Sequence, residues 1–434
     1  MRQFARSHQA LLPALSFSLL PFLASGCGEP GEEAGTEAGE EASLDPGELE
    51  QRAREIHESV LTIDTHDDIP FNFASPEVDP LNADRQVNLE KMRAGGLDVG
   101  FFIVYVGQTD RTPENYEAAK QGAMTKFEAI HRMTNEMYPD LIGLAHTAGD
   151  AERIHAEGRL VAAIGIENGY VIGKDLSLLE TYHELGARYI TLAHNGNNDI
   201  ADSAQPNFAY GDTPEENGGI SDFGEEVIAE MNRLGIMVDV SHISKAASLE
   251  AMQLSETPVI ASHSGAHAVN PHPRNMDDEQ LYALRENGGV IQAVALGAFV
   301  KSPSEAQQAE VTALRESIGF TSFSQMTDEQ RLAFRDGMAG IRTRYPAVNV
   351  ADFVDHIDHA VNLIGIDYVG ISSDFDGGGG IDGWSDASET LNVTIELVRR
   401  GYSEDEIRQL WGGNTLRIWR AAEKVAAEMQ QAGG

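Results

Sequence analysis

The stretch V60-L-T-I-D-T-H-D-D-I-P70 joins an apolar run to a histidine flanked by three aspartates. Val60, Leu61 and Ile63 read as a buried strand, and such a strand seldom ends in so much negative charge without something positive to hold it. A metal ion is the natural candidate. If the extended conformation persists, His66 and Asp68 leave the same face while Asp67 leaves the other. A polar turn after a strand also carries Asp routinely, so the rest of the chain has to decide.

Seven further runs have the same β-rich character: 98–106, 160–168, 188–195, 235–243, 257–265, 288–297 and 367–377. Between them lie amphipathic helical patterns. In residues 221–235, Phe223, Val227, Ile228, Met231 and Leu234 keep helical spacing, as do Phe353, Ile357, Val361 and Ile364 in 352–365. Strand alternating with helix implies parallel pairing with right-handed crossovers. Eight such units fit a closed α/β fold, the (β/α)8 TIM-like barrel, better than an open sheet.

Position strengthens this reading. The ionisable residues that interrupt the runs sit at their carboxyl ends: His66 and Asp68, Glu167, His194, His242, His263 and Asp374. In a barrel these ends converge on one face, where active sites lie. Imidazoles and carboxylates without cysteine suit zinc or a similar divalent ion. His66, Asp68, Glu167, His242 and His263 suffice for two ions if Glu167 bridges, and two ions would hold a hydroxide between them for hydrolysis. His194 and Asp374 remain to stabilise an oxyanion and to move a proton. Asp376, two residues on, is a rival for the second role.

Taken together, IDTHDDIP, AAIGIENGY, YITLAHN, SDFGEEVIAEMNRLGIMVDVSHIS, VIASHSGAHAVNPHPRNMDDEQL and VGISSDFDGG resemble the membrane (renal) dipeptidases. These are zinc peptidases of the amidohydrolase-like, metallo-dependent hydrolase barrel group, and the resemblance runs from about residue 57 to 420. It implies one zinc on His66 and Asp68, a second on His242 and His263, and Glu167 between them. It further implies that His194 contacts the scissile carbonyl, Asp374 handles the proton, and Arg274 takes the substrate carboxylate. A dipeptide substrate with a free C-terminal carboxylate, C-terminal D-residues included, and a homodimer are implied in the same way. His267 and His272 read as loop or pocket-rim residues. After LAHN the chain reads GNNDIADS, without the Cys and Trp of mammalian members, so the side-chain pocket has a different wall. Residues 298–350 read as a helical insertion before the last strand, as a lid, a dimer contact or a surface excursion.

The 69 acidic and 31 basic residues give a net charge of −38, which argues against nucleic acid or an anionic membrane surface as partner. The lone cysteine, Cys27, excludes an intrachain disulfide. Arg2, Arg6 and the apolar run 11–24 read as a secretory signal, and LASGC resembles the lipobox of bacterial lipoproteins, with Ala24 where leucine is commonest. Residues 1–26 are therefore expected to be removed and Cys27 lipidated, anchoring the chain to a membrane of the bacterial cell envelope. Residues 27–48, rich in Gly and Glu, read as a flexible tether, with the barrel over 49–434. Two rival readings remain: a two-metal barrel acting on another amide, lactone or phosphoester, and a non-catalytic surface lipoprotein.

Overall fold

The computed structural model describes residues 45–319 and 327–433, so the signal segment, Cys27 and nearly all of the tether lie outside the described residues. The first helix, Pro46–Ser59, starts inside the stretch read as tether. Its sequence explains the difference. Asp45 accepts the Gly47 and Glu48 backbone N–H groups, Glu48 returns a bond to the Asp45 N–H, and Pro46 occupies the first helical turn. The DPGE that looked like linker is a helix start.

The described residues form nine strands: β1 (Ile63–Asp68), β2 (Val99–Tyr105), β3 (Ile142–Leu144), β4 (Leu160–Glu167), β5 (Ala187–Thr191), β6 (Met237–Asp239), β7 (Ile260–Ser264), β8 (Val290–Val294) and β9 (Val369–Ser372). Eight pair in parallel in the order β1-β2-β4-β5-β6-β7-β8-β9. The short β3 lies off this path against β4, and it was not expected. A parallel bridge between Asp67 and Phe375 joins the two ends, with the Asp68 N–H donating to the Phe375 carbonyl at 2.9 Å. The sheet is thus a nearly closed TIM-like barrel.

Two apolar cores hold it. Inside the barrel, Ile63, Phe101, Val161, Tyr189, Met237, Ile260 and Val290 fill the cross-section below the strand ends. Trp419 on the C-terminal helix Asn414–Gly433 closes the bottom, with its ring 5.6 Å from that of Phe101. The larger core lies between the strands and the surrounding helices. Helix Asp222–Leu234 buries Val227, Ile228, Met231 and Leu234, and helix Val350–Ile364 buries Phe353, Ile357 and Ile364. Each such side chain contributes about 1.5–3 kcal/mol by leaving water. The insertion after β8 is helical, with Gly297–Val300, Glu305–Ile318 and Asp328–Arg344.

Candidate metal centre

Only His66, Asp68, Glu167 and His263 lie within strands. His194 follows the end of β5, His242 the end of β6 and Asp374 the end of β9. His242 (φ 67°) and Asp374 (φ 58°) adopt the left-handed backbone that side chains normally avoid. Such conformations cost about 1–3 kcal/mol each and persist where the surroundings over-determine them. Here they leave both side chains lining a cavity of about 350 Å³ at the barrel mouth. β1 also departs from simple alternation, because its register with β2 shifts between Asp64 and Asp67. Asp64 accepts the backbone N–H groups of His66 (3.2 Å) and Ser373 (3.0 Å), holding β1 against the end of β9.

All seven expected residues come together. The Oε1 atom of Glu167 has four Nε2 atoms around it: His242 at 2.9 Å, His263 at 3.4 Å, His194 at 3.5 Å and His66 at 3.7 Å. The Nε2 atoms of His242 and His263 are 2.8 Å apart, and that of His66 is 3.5 Å from Asp68 Oδ2. One carboxylate oxygen cannot satisfy four imidazoles, and His66 Nε2 is buried without a hydrogen-bond partner. A cation among these atoms resolves both problems. Three overlapping sets have their ligand atoms within 4.8 Å of one another: His66/Glu167/His263, Glu167/His194/His242 and His66/Asp68/Asp374. A Cβ at Gly377 would stand 2.3 Å from carboxylate oxygens of both Asp68 and Asp374, so only glycine leaves that edge open. The nitrogen and oxygen donors present fit a divalent transition ion.

The protein's own charges prepare this donor set. Burial pushes His242 and His263 well below the ordinary imidazole value, with Arg274 acting in the same direction, so both are neutral, as ligands must be. Burial also lowers His194. Glu167 is opposed by burial, yet His194 and His66 hold its carboxyl well below the usual range. For His66 burial is outweighed by Glu167 and Asp68, which carry it well above its ordinary value, so without an ion this ring holds a proton on Nε2 that an arriving cation would displace. Asp374 is raised well above its ordinary value by burial, and Asp68 and Glu167 add to this against the opposing pull of His66.

Asp376 also lines the cavity, but its carboxylate accepts the backbone N–H groups of Gln86 and Val87, both at 3.1 Å, and pairs with Arg85 at 3.4 Å. It holds the loop after β1, which leaves Asp374 as the uncommitted acid. Arg274 is buried behind the wall. Its Nη2 donates to the His263 carbonyl at 3.1 Å, its Cζ lies 5.3 Å from the centre of the Phe299 ring, and its Nε has no partner. Burial lowers it to about 10, so it stays charged at neutral pH; Glu167, Asp374 and Asp239 act on it from a distance, and none of them pairs with it directly. The His272 ring lies 4.5 Å from that of Phe299, tilted by 35°, and neither His272 nor His267 lines the cavity.

Sequence reasoning missed Tyr105, Asn195, Gln205, Leu296 and Phe299, which complete the lining. Tyr105 ends β2, the same signal that found the histidines, and its ring lies 4.8 Å from His194. Burial, with Glu167 and Asp68, raises its phenol to about 12, so it remains a hydrogen-bond donor. Leu296 and Phe299 come from the turn and short helix that follow β8. Asn270 and Asn275 clamp this turn by donating to the Phe299 carbonyl at 2.9 and 2.8 Å.

The profile of the membrane dipeptidase family (Peptidase family M19) matches residues 50–433. The chain belongs to this family. It is 33% identical over 353 residues to dipeptidase aclJ of Aspergillus oryzae, covering 79% of this chain and 72% of that one. It is 30% identical to dipeptidase verJ of Clonostachys rogersoniana over 88% of this chain and 89% of that one. The crystal structure of the probable dipeptidase PvdM from Pseudomonas aeruginosa superposes with a TM-score of 0.78 at 32% identity, covering 88% of this chain and all of that one. This membrane dipeptidase family member is accordingly a metal-dependent hydrolase acting on dipeptides, and the barrel expected from its strand pattern is the family's fold.

Proposed function

We propose that this enzyme is a binuclear zinc dipeptidase that cleaves dipeptides carrying a free C-terminal carboxylate, C-terminal D-residues included. The observation that carries the reading is the convergence of four imidazole Nε2 atoms within 3.7 Å of one Glu167 oxygen. His66 and Asp68 would hold one ion, His242 and His263 the other, with Glu167 shared. When bound, the ions supply an activated water and polarise the scissile carbonyl. Neutral His194 donates from Nε2 to the carbonyl oxygen as it gains charge. Asp374 takes the proton from the attacking water and passes it to the leaving amine, so that the C–O bond forms as the C–N bond breaks. Its buried setting favours the protonated form it must reach midway. Arg274, a buried guanidinium with no carboxylate in direct contact, takes the substrate carboxylate past Phe299.

Stripping the protein with a chelator and titrating zinc back should restore activity with two equivalents. Full recovery at one equivalent overturns the binuclear scheme. His194→Ala should lower kcat by about 100-fold with metal content intact, the low end for a donor because its ring is partly solvated. Asp374→Asn should act on the proton-transfer limb of the pH profile instead. Near wild-type turnover in either variant removes the role assigned to it.

We further propose, from the resemblance of LASGC to a lipobox, that lipid on Cys27 anchors the enzyme to the bacterial cell envelope. Cys27→Ser should then move the protein from the membrane to the soluble fraction with kcat and KM unchanged, because Cys27 precedes the barrel and contributes nothing to its site. An unmodified mature N-terminus by mass spectrometry would count against the anchor.

A further inference from the structure

We infer that Tyr189 and Ser262 are positioning residues whose hydroxyls fix His66 and His263 in the tautomer that leaves Nε2 free for a metal ion. The inference rests on the metal-centre reading above and concerns the groups behind it. A neutral imidazole holds a metal through one nitrogen only if the other carries the proton, so whatever bonds the far nitrogen selects the ligand.

The Tyr189 hydroxyl lies 2.8 Å from the Thr65 carbonyl and 3.0 Å from His66 Nδ1. A carbonyl can only accept, so the single phenolic proton goes to Thr65 and the oxygen's lone pair faces His66. His66 Nδ1 must then carry the hydrogen, and Nε2 presents its lone pair to Glu167 and Asp68. Ser262 repeats this arrangement. Its Oγ lies 2.7 Å from Asp239 Oδ2 and 2.8 Å from His263 Nδ1. Asp239 accepts on both oxygens: the Ser241 and Ser262 backbone N–H groups at 3.0 and 2.9 Å on Oδ1, and Thr191 at 2.5 Å beside Ser262 on Oδ2. With four donors on four lone-pair sites, this carboxylate is fixed as an acceptor. The Ser262 proton goes to Asp239, and His263 Nδ1–H donates to Ser262.

The backbone around Tyr189 is built for this contact. A Cβ at Gly165, on the neighbouring strand β4, would stand 2.2 Å from Tyr189 Cζ, so the missing side chain is the seat of the ring. His242 supplies the contrast. Its Nδ1 is buried without a partner, and its left-handed backbone is held instead by the Ala204 N–H donating to its carbonyl at 2.7 Å. Two of the three expected histidine ligands are thus set by a hydroxyl relay and the third by its main chain.

The test uses wild type, Tyr189→Phe, Ser262→Ala and Ser262→Thr, each stripped and titrated with zinc against a chromophoric chelator, then loaded with cobalt(II) for its absorption spectrum. Tyr189→Phe and Ser262→Ala should each weaken ion binding about 10- to 100-fold and change the cobalt spectrum. Ser262→Thr, which keeps a hydroxyl, should restore both, a rescue that loss of packing alone would not give. Zinc affinities within twofold of wild type and unaltered spectra in Tyr189→Phe and Ser262→Ala would overturn the inference. If Tyr189→Phe does not fold, the Ser262 pair decides. If wild type itself binds no divalent ion, the metal-centre reading fails first, an outcome distinct from a wild type that binds and variants that bind equally well.

Discussion

Glu167→Gln should empty both ion positions and lower kcat/KM by about four orders of magnitude. The carboxylate lies at the centre of the four imidazoles, and in the proposed scheme it is the one side chain both ions would share. Glutamine keeps the shape and one acceptor oxygen but loses the negative charge and turns its other end into a donor. Losing the metal clamp, worth several kcal/mol in the transition state, corresponds to a fall of this size. The fold should also change its response to acid. His194 and His66 hold the wild-type carboxyl well below its ordinary value near 4.5, so its contribution to stability is complete above that pH and is lost as pH falls through the depressed value. In chelator, Glu167→Gln should lack this component of acid unfolding. Elemental analysis with kinetics checks the main claim: two ions retained with activity within tenfold of wild type would remove Glu167 from the bridge.

Arg274→Lys should lower kcat/KM for a dipeptide by roughly 1,000-fold while barely changing the slow hydrolysis of the same dipeptide amidated at its C-terminus. Breaking a buried hydrogen-bonded charge pair costs roughly 2–5 kcal/mol, and a thousandfold loss is about 4 kcal/mol. Lysine keeps the charge but has no planar fork to meet a carboxylate with two parallel bonds, nor a flat face to lie on Phe299. In a chain of net charge −38 this local cation offsets a field that repels anionic substrates. An anchor at a fixed distance from the metal centre also selects length, so tripeptides should be poor substrates. Equal wild-type rates for dipeptide and amide would sink the carboxylate anchor and favour a broader amidohydrolase.

The barrel and its seven-residue cluster were legible because each strand is an apolar run and each key residue an ionisable interruption at the run's end. His194, His242 and Asp374 were found by that signal even though they lie past the last paired residue. β3 was not legible, since Ile142, Gly143 and Leu144 are too few to form a run. The two-residue spacing of Asp374 and Asp376 was misleading: β9 ends at Ser372, both aspartates have left-handed backbones, and strand alternation no longer governs them. Tyr105 was passed over because an aromatic residue at a strand end looks like core, and Leu296 and Phe299 because apolar residues just after a strand do too. Asp239 and Tyr189 escaped for a related reason. Their importance lies in what they bond to across the barrel, and that depends on register between strands far apart in sequence.

The seam between β1 and β9 ties the history of the chain to its chemistry. Asp67 pairs with Phe375 and Asp64 with Ser373, so the first and last strands meet beside the metal centre. Contacts of such sequence separation are the slowest to form, because the intervening loop must be closed before they return any energy. A chain emerging from the ribosome holds His66, Asp68 and Glu167 long before the strand that precedes Asp374 exists. The five expected ligands can therefore gather before the final strand docks, whereas the acid expected to move the proton joins them only when the barrel closes, so competence for the reaction waits on the last strand to be made.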